Sequence, residues 1–206
     1  MKKIYAIITG GEPSELCDID KACAVIACDK GYYYATERGV EPDEVVGDFD
    51  SCDVPRNSRA EIVVLPKEKD DTDTVFAVKR VLSRNPDEIY MYCAEGGRPD
   101  HFIGNLQAAA MAAKQGVAVR IFGNYADYAI FSTGTKLFPK NGYSRLSVIS
   151  LSDECRGVWI KGVKYLLCGA TLTNSFPVGI SNEWTKDVAE VSLESGIIAV
   201  IRSKNI

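Results

Sequence analysis

Two aspartates, Asp48 and Asp50, stand directly after a short apolar run, Val45–Val46, that predicts a buried β-strand. Residues two apart in an extended segment point to the same side, so both carboxylates could reach one ion. Mg²⁺ typically takes one or two carboxylates together with substrate phosphates. The spacing is typical of a magnesium site, and it is equally typical of an Asx-type turn capped by Ser51.

A second group of acids, Asp70, Asp71 and Asp73, lies at the start of a predicted helix, Thr72–Arg84. An acid at this position can cap the free N–H groups of the first turn and oppose the helix dipole. Three acids within four positions exceed what one cap requires. This surplus favours Asp70 and Asp73 as a second pair of ligands for the same metal.

The tripeptide Gly96-Gly97-Arg98 precedes another predicted helix, Pro99–Gln115. Glycines allow a phosphate to approach the backbone, free N–H groups at a helix start point outward, and an arginine can fork onto an oxyanion. The segment is therefore a candidate phosphate-binding site.

Two polar residues of this helix, His101 and Asn105, are four apart and share one face, so both could face the same cleft. A histidine with a purely structural role is the alternative.

The elements that position these residues fall into two kinds. Up to about Gly123, apolar runs without strict alternation are separated by helices, which indicates a mainly parallel sheet with helices on both faces. Such sheets bind ligands beyond the carboxyl ends of their strands, and there the acids, glycines and arginine gather. The runs are Ile4–Ile8, Ala24–Cys28, Val45–Val46, Ile62–Leu65, Ile89–Cys93 and Val117–Phe122.

After Gly123 the sequence changes to short, partly alternating runs separated by Gly, Asn and Ser, which predict a small antiparallel β-sandwich. We therefore predict an α/β domain over residues 1–124 and a β-sandwich domain over residues 125–206. The predicted strands of the second domain are Thr135–Phe138, Arg145–Leu151, Gly157–Ile160, Lys164–Leu172, Ala189–Leu193 and Gly196–Arg202.

The composition excludes several classes of protein. A formal net charge of −4 argues against a general nucleic-acid binder, which needs a basic surface. Seven cysteines without a C-x-x-C pair and a single histidine disfavour a zinc site and are expected of reduced thiols in the cytoplasm. The apolar run near the N-terminus is too short for a signal peptide, and no run reaches the roughly 20 residues of a membrane span. The P-loop and dinucleotide-binding motifs and the G-x-S-x-G elbow are all absent from the sequence.

Five ordered blocks of the sequence resemble the thiamine pyrophosphokinase family. They run from residue 29 to residue 183, nearly the whole chain, and five blocks in order make the resemblance specific. The blocks are Asp29 with Gly31, Gly47-Asp48-Phe49-Asp50-Ser51, Asp70-Asp71-Thr72-Asp73, Gly96-Gly97-Arg98-Pro99-Asp100-His101 with Asn105, and Gly162-Val163-Lys164-Tyr165 followed by Gly179-Ile180-Ser181-Asn182-Glu183. The family often has two glycines after the acid of the first block, where this chain has Lys30 in one of the two places.

The resemblance implies a homodimer with active sites between subunits, which transfers the pyrophosphoryl group of ATP to the hydroxyl of thiamine with Mg²⁺, giving thiamine diphosphate and AMP. It assigns three groups of residues. Metal and phosphates would be held by Asp48, Asp50, Asp70 and Asp73. The nucleotide phosphates would also meet Asp29, Gly96, Gly97, Arg98, Asp100, His101 and Asn105. Thiamine would meet Ser181 and Asn182.

A tryptophan beside the last of these residues, Trp184, could stack on the pyrimidine ring of thiamine and favour its cationic thiazolium. Packing in a core or in a subunit interface is the alternative.

Two other functions share parts of this pattern. A Mg²⁺-dependent phosphohydrolase would use the same acids with water as the acceptor, but it gives the β-rich half no role. A regulatory module that binds a nucleotide without turnover would not need so many carboxylates.

Overall fold

The computed structural model describes residues 2–50, 54–55, 58–68 and 70–204. Ser51, named above as a turn cap, lies outside the described residues. The chain forms two compact units, one of Met1–Ala112 with Val119–Asn124 and the other of Ala113–Ala118 with Tyr125–Ile206. Within the described residues, no helix is both long and apolar enough to cross a membrane.

The first unit is built on an open sheet with a mainly parallel arrangement. Its strands are β1 (Ile4–Ile8), β2 (Ala24–Cys28), β3 (Glu44–Gly47), β4 (Glu61–Val64), β5 (Glu88–Tyr92) and β6 (Ala118–Phe122). Their order is β4-β3-β2-β1-β5-β6, and β1 is parallel to both β2 and β5. The chain thus builds outward from β1 to β4 and returns to the opposite side of β1. The predicted parallel sheet is confirmed, and its topological switch point lies between β1 and β5.

Three α-helices accompany this sheet within the described residues: α1 (Gly31–Thr36), α2 (Asp73–Leu82) and α3 (Pro99–Lys114). The sequence predicted the last two to within two residues at each end. Thr72 is the N-cap of α2, and its side chain accepts a hydrogen bond from the backbone N–H of Val75 at 3.2 Å. The capping role considered for Asp70 and Asp73 is therefore filled by Thr72, which leaves the carboxylates available for other contacts.

The second unit is an antiparallel β-sandwich, as predicted. Its strands are β7 (Ala126–Phe131), β8 (Gly134–Pro139), β9 (Arg145–Ser150), β10 (Glu154–Lys161), β11 (Leu167–Thr173), β12 (Val188–Leu193) and β13 (Ile198–Ser203). β13 pairs with β7 and β9, and the other four form a sheet of order β11-β10-β12-β8. Side chains from both groups share one hydrophobic core that includes Phe131, Leu146, Ile160 and Val191. No helix occurs among the described residues after 124.

Candidate functional site

A cleft of about 1180 Å³ lies in the first unit at the carboxyl ends of its strands. This is where an open parallel sheet binds its ligands. Every residue of the α/β half that was expected to meet the metal or the nucleotide phosphates contributes to the lining. Those residues are Asp29, Asp48, Asp50, Asp70, Asp73, Gly96, Gly97, Arg98, Asp100, His101 and Asn105.

Three carboxylates come together in this cleft: Asp29 after β2, Asp48 after β3 and Asp73 at the start of α2. One oxygen atom from each lies within 4.8 Å of the others. Neighbouring strands explain the meeting of the first two, because β2 and β3 pair in parallel with Cys28 opposite Val46. We call these three residues the acid cluster.

The acid cluster differs from the set predicted as metal ligands. Asp29 joins Asp48 and Asp73, whereas Asp50 and Asp70 are exposed and line the cleft outside the cluster. Asp48 and Asp50 do not alternate along an extended segment, because Phe49 between them has a φ of 52°.

The Asx-type turn that the sequence offered as an alternative is also present. The backbone N–H of Asp50 donates to Oδ1 of Asp48 at 3.2 Å. This local hydrogen bond ties the loop together and leaves Asp48 in the acid cluster.

The acid cluster is electrostatically crowded. Burial raises the pKa of Asp29 to about 7, helped by the hydrogen bond and charge of Asp73 and by the charge of Asp48. The backbone N–H of Phe49, which donates to Oδ1 of Asp29 at 3.4 Å, opposes this shift of the pKa only in part. A proton or a cation shared by the three carboxylates relieves the repulsion.

The donor set fits Mg²⁺, which prefers carboxylate oxygens and keeps part of its coordination sphere for water and phosphate oxygens. Three aspartates from three different elements can supply one or two direct ligands, with the remaining carboxylate bonded to a coordinated water. The fold makes room for this arrangement at Gly47, where a Cβ atom would overlap Oδ1 of Asp29.

A buried thiol lies beside the acid cluster. Cys28 is 2% exposed, and its Sγ donates to the backbone oxygen of Asp73 at 3.7 Å. Burial, followed by the charges of Asp73 and Asp29, raises the pKa of this thiol. A cysteine in such a place is a poor nucleophile, so Cys28 serves as packing under the carboxylates.

The opposite side of the cleft is formed by the loop between β5 and α3. Gly96 and Gly97 have φ values of 78° and 67°, which favour glycine. The buried amide of Asn105 donates from Nδ2 to the backbone oxygen of Ala94 at 2.9 Å, which fixes α3 to the end of β5. His101 lines the cleft and is exposed.

Arg98 forms an exposed ion pair with Asp100 at the edge of this cleft, with 2.6 Å between Nη2 and Oδ2. This pairing lowers the pKa of Asp100. The guanidinium thus has a partner on its own loop, and a phosphate would compete with that carboxylate.

The residues predicted to meet thiamine lie in the second unit and differ in character. Ser181 is exposed, with a φ of 59°. Asn182 is buried, and its Oδ1 accepts the backbone N–H groups of Tyr165 and Glu183, both at 3.0 Å. Its Nδ2 donates to the backbone oxygen of Tyr165 at 2.7 Å.

The side chain of Asn182 therefore acts as a clamp on the backbone of Tyr165, a residue that is 63% exposed. Tyr165 ends the segment Gly162-Val163-Lys164-Tyr165, and its residue type alone indicates no role. Asn182 and Tyr165 are 17 positions apart in the chain, so the sequence does not show that they are in contact.

Trp184 belongs to the hydrophobic core of the sandwich. It is 9% exposed, and its Nε1 donates to the backbone oxygen of Phe138 at 3.0 Å. The structure thus favours the packing role over stacking on a ligand.

The fold and the cleft define the first unit as an open α/β domain with a polar cleft at the carboxyl edge of a mainly parallel sheet. The family described as "Thiamin pyrophosphokinase, catalytic domain" matches residues 18–121. The family described as "Thiamin pyrophosphokinase, vitamin B1 binding domain" matches residues 135–198. The chain belongs to the thiamine pyrophosphokinase family.

Individual relatives agree with this assignment. Thiamine pyrophosphokinase from Bacillus subtilis (strain 168) is 30% identical over 98% of this chain and 99% of the relative. The crystal structure of thiamine pyrophosphokinase from Bacillus subtilis superposes with a TM-score of 0.85 at 28% identity, covering 99% of this chain and 100% of that chain. A thiamin pyrophosphokinase family protein from Enterococcus faecalis gives a TM-score of 0.84 at 28% identity, with the same coverage.

Proposed function

We propose that the protein transfers the pyrophosphoryl group of ATP to the hydroxyl of thiamine, giving thiamine diphosphate and AMP. The observation that carries the proposal is the acid cluster of Asp29, Asp48 and Asp73 at the carboxyl edge of the sheet. Clustered carboxylates facing a polyanionic substrate make sense when a divalent cation lies between them. Membership in the family supplies the acceptor.

The reaction joins the hydroxyl oxygen of thiamine to the β-phosphorus while the bond between that phosphorus and the oxygen of AMP breaks. Bound Mg²⁺ would neutralise charge on the transferring phosphates. The chain itself must hold the two reactants in line and accept the hydroxyl proton. Asp50 and Asp70 line the cleft outside the acid cluster, and we assign the acceptance of that proton to one of them.

We assign the phosphate chain to the loop that carries Gly96, Gly97 and Arg98, with His101 and Asn105 behind it. The positive φ values of the two glycines support a backbone open to an anion. Arg98 would exchange its partner Asp100 for a phosphate oxygen, which a bidentate guanidinium binds well.

We assign the acceptor to Ser181, Asn182 and Tyr165. Tyr165 is 63% exposed and its backbone is held by a buried amide, so its aromatic ring is suited to stack on a heteroaromatic cation. Tyr165 takes the stacking role that the sequence offered to Trp184, because the indole is buried in the core.

We further propose a cytoplasmic homodimer whose active sites join the acid cluster of one subunit with Asn182 of the other. The free thiols among the described cysteines support a reducing compartment. Mixed dimers of an Asp48→Asn subunit and an Asn182→Ala subunit would then regain activity, because one of their sites carries neither change. Mixed dimers that form but stay inactive would contradict the shared site.

The central experiment measures AMP from ATP and Mg²⁺ with and without thiamine. We expect AMP formation that depends on thiamine, together with thiamine diphosphate in equal amount. Release of AMP without thiamine would instead identify a hydrolase, and ATP binding without any product would identify a regulatory module.

A further inference from the structure

Lys30 lines the same cleft but plays no part in the assignments above. It follows Asp29 of the acid cluster and precedes the first residue of α1, Gly31. Its side chain is exposed. The inference below rests on the proposed function, because it concerns the nucleotide that the cleft would hold.

Few positively charged side chains of the described lining could bind a polyanion. Lys30, Lys67 and Arg98 are the lysines and arginines among the described lining residues, and Arg98 is already paired with Asp100. Neither lysine makes a hydrogen bond or ion pair through its side chain to any residue in the described ranges. Among the described lining residues, the ammonium groups of Lys30 and Lys67 are therefore the positive charges available to bind an anion.

The backbone of Lys30 is held firmly in place. A Cβ atom at Gly31 would overlap the backbone oxygen of Ile8, so the first turn of α1 lies directly on the end of β1. The backbone oxygen of Lys30 also accepts the N–H groups of Tyr33 and Tyr34, at 3.0 and 3.3 Å. The stem of Lys30 therefore starts from a rigid position.

The direction of the stem follows from its neighbour on β1. The Cβ atom of Lys30 lies 3.8 Å from the place that a Cβ of Gly10 would take, so the side chain begins beside the glycines after β1. In the sheet, β2 lies between β3 and β1. Lys30 accordingly stands on the side of the acid cluster that faces away from Asp48, toward the glycine turns.

We propose that the Lys30 ammonium binds the α-phosphate of the nucleotide, the phosphate that leaves as AMP. The transferring phosphates belong at the acid cluster with the metal, and the nucleotide continues from there past β1. Lysine acts on phosphate as a mobile point charge, which suits a group whose negative charge grows as its bond to the β-phosphorus breaks.

The test compares equilibrium binding of ATP, AMP and adenosine, measured by calorimetry with Mg²⁺, for wild type, Lys30→Met and Lys30→Arg. Lys114→Met is the matched control, because Lys114 is an exposed lysine in the last turn of α3 outside the cleft. We expect Lys30→Met to bind ATP and AMP about tenfold more weakly, equivalent to about 1.4 kcal/mol. Adenosine binding should not change, Lys30→Arg should restore most of the affinity, and the control should match wild type.

Equal binding of ATP and AMP by Lys30→Met and wild type would overturn the inference. So would an equal loss for adenosine, because that result would indicate a distorted cleft. Thiamine-dependent AMP formation by the wild type tests the proposed function separately. If the wild type binds nucleotide but transfers no pyrophosphoryl group, the proposed function is wrong. The binding comparison between wild type and the Lys30 variants can still be interpreted.

Discussion

Oδ1 of Asp29 occupies the space that a side chain at Gly47 would need. The two residues end neighbouring parallel strands, β2 and β3, and the backbone N–H of Asp29 donates to the oxygen of Val46 at 3.0 Å. The absence of a side chain at position 47 is therefore a condition for the acid cluster.

We predict that Gly47→Ala displaces Asp29 and weakens divalent-metal binding at least tenfold while the fold persists. The obstruction involves the end of a side chain, which can rotate away, so the backbone need not move. Binding of Mn²⁺, followed by paramagnetic resonance, measures the effect. Gly104→Ala is the control: it adds the same methyl group within α3 in the same cleft, where no atom lies within 4 Å. Unchanged Mn²⁺ affinity in Gly47→Ala would contradict the role given to Asp29.

The raised pKa of Asp29 predicts how the metal-free protein responds to pH. Between its ordinary value near 3.8 and its folded value of about 7, the folded state holds a proton that the unfolded state has released. The free energy of unfolding therefore falls as the pH rises through this window. The groups that face Asp29 are Asp73, Asp48 and Cys28, and none of them supplies a compensating positive charge.

Asp29→Asn should consequently stabilise the metal-free protein at pH 8 by about 1 kcal/mol, because partial solvent exposure reduces the effect. This corresponds to a rise of about 2–4 °C in the melting temperature. With saturating Mg²⁺ the order should reverse, since the wild type gains stability from binding and the variant does not. A variant that melts below the wild type in chelator at pH 8 would contradict the electrostatic account.

The ion pair between Arg98 and Asp100 predicts that changes at its two partners affect the use of ATP differently. Arg98→Lys keeps the charge but loses the fork, so kcat/KM for ATP should fall about tenfold. Asp100→Asn releases the guanidinium, so the KM for ATP should stay the same or decrease. Steady-state kinetics at fixed Mg²⁺ measure both. If both variants behave like the wild type, Arg98 is only the partner of Asp100.

The clamp of Asn182 on Tyr165 predicts a selective loss of acceptor binding. Asn182→Ala removes the hydrogen bonds to the backbone of Tyr165, and the KM for thiamine should rise tenfold or more while ATP affinity stays within about twofold. The lost bonds should also lower the free energy of unfolding by about 1–3 kcal/mol. Tyr165→Phe keeps the ring and should remain active, whereas Tyr165→Ala should resemble Asn182→Ala. Loss of ATP affinity in Asn182→Ala would refute the division of roles.

Much of the fold was predictable because burial imposes simple patterns. β1 and β2 have the same bounds in the sequence analysis and in the structure, since their continuous apolar runs are buried on both faces. The short helix α1 was missed because its six residues, GYYYAT, are too few for a helical period and contain three tyrosines, which are weak helix formers. β7 was missed because Asp127 interrupts its apolar pattern, and that aspartate is paired across the strands with Arg202.

The site was less predictable because it depends on strand order. Asp29 and Asp48 are 19 positions apart in the chain, and their contact requires β2 and β3 to be neighbours. The pairing of Asp48 with Asp50 assumed an extended backbone, which the turn at Phe49 abolishes. Trp184 lies in the core and Tyr165 is exposed, which residue type alone does not predict because exposure depends on which face of the sandwich a residue occupies.

Because Cys28 is buried beside the cleft, the rate at which this thiol reacts with an alkylating reagent reports on local opening of the structure. Its sulfur lies against the backbone of Asp73 and is buried in the folded protein, whereas Cys17, Cys23 and Cys168 are exposed. Alkylating reagents would modify the exposed thiols first. The slower rate of Cys28 modification would measure how often α2 separates from β2. Nucleotide and metal should slow the alkylation of Cys28, and mass spectrometry of the modified protein can measure how much each of them stabilises the acidic edge of the sheet.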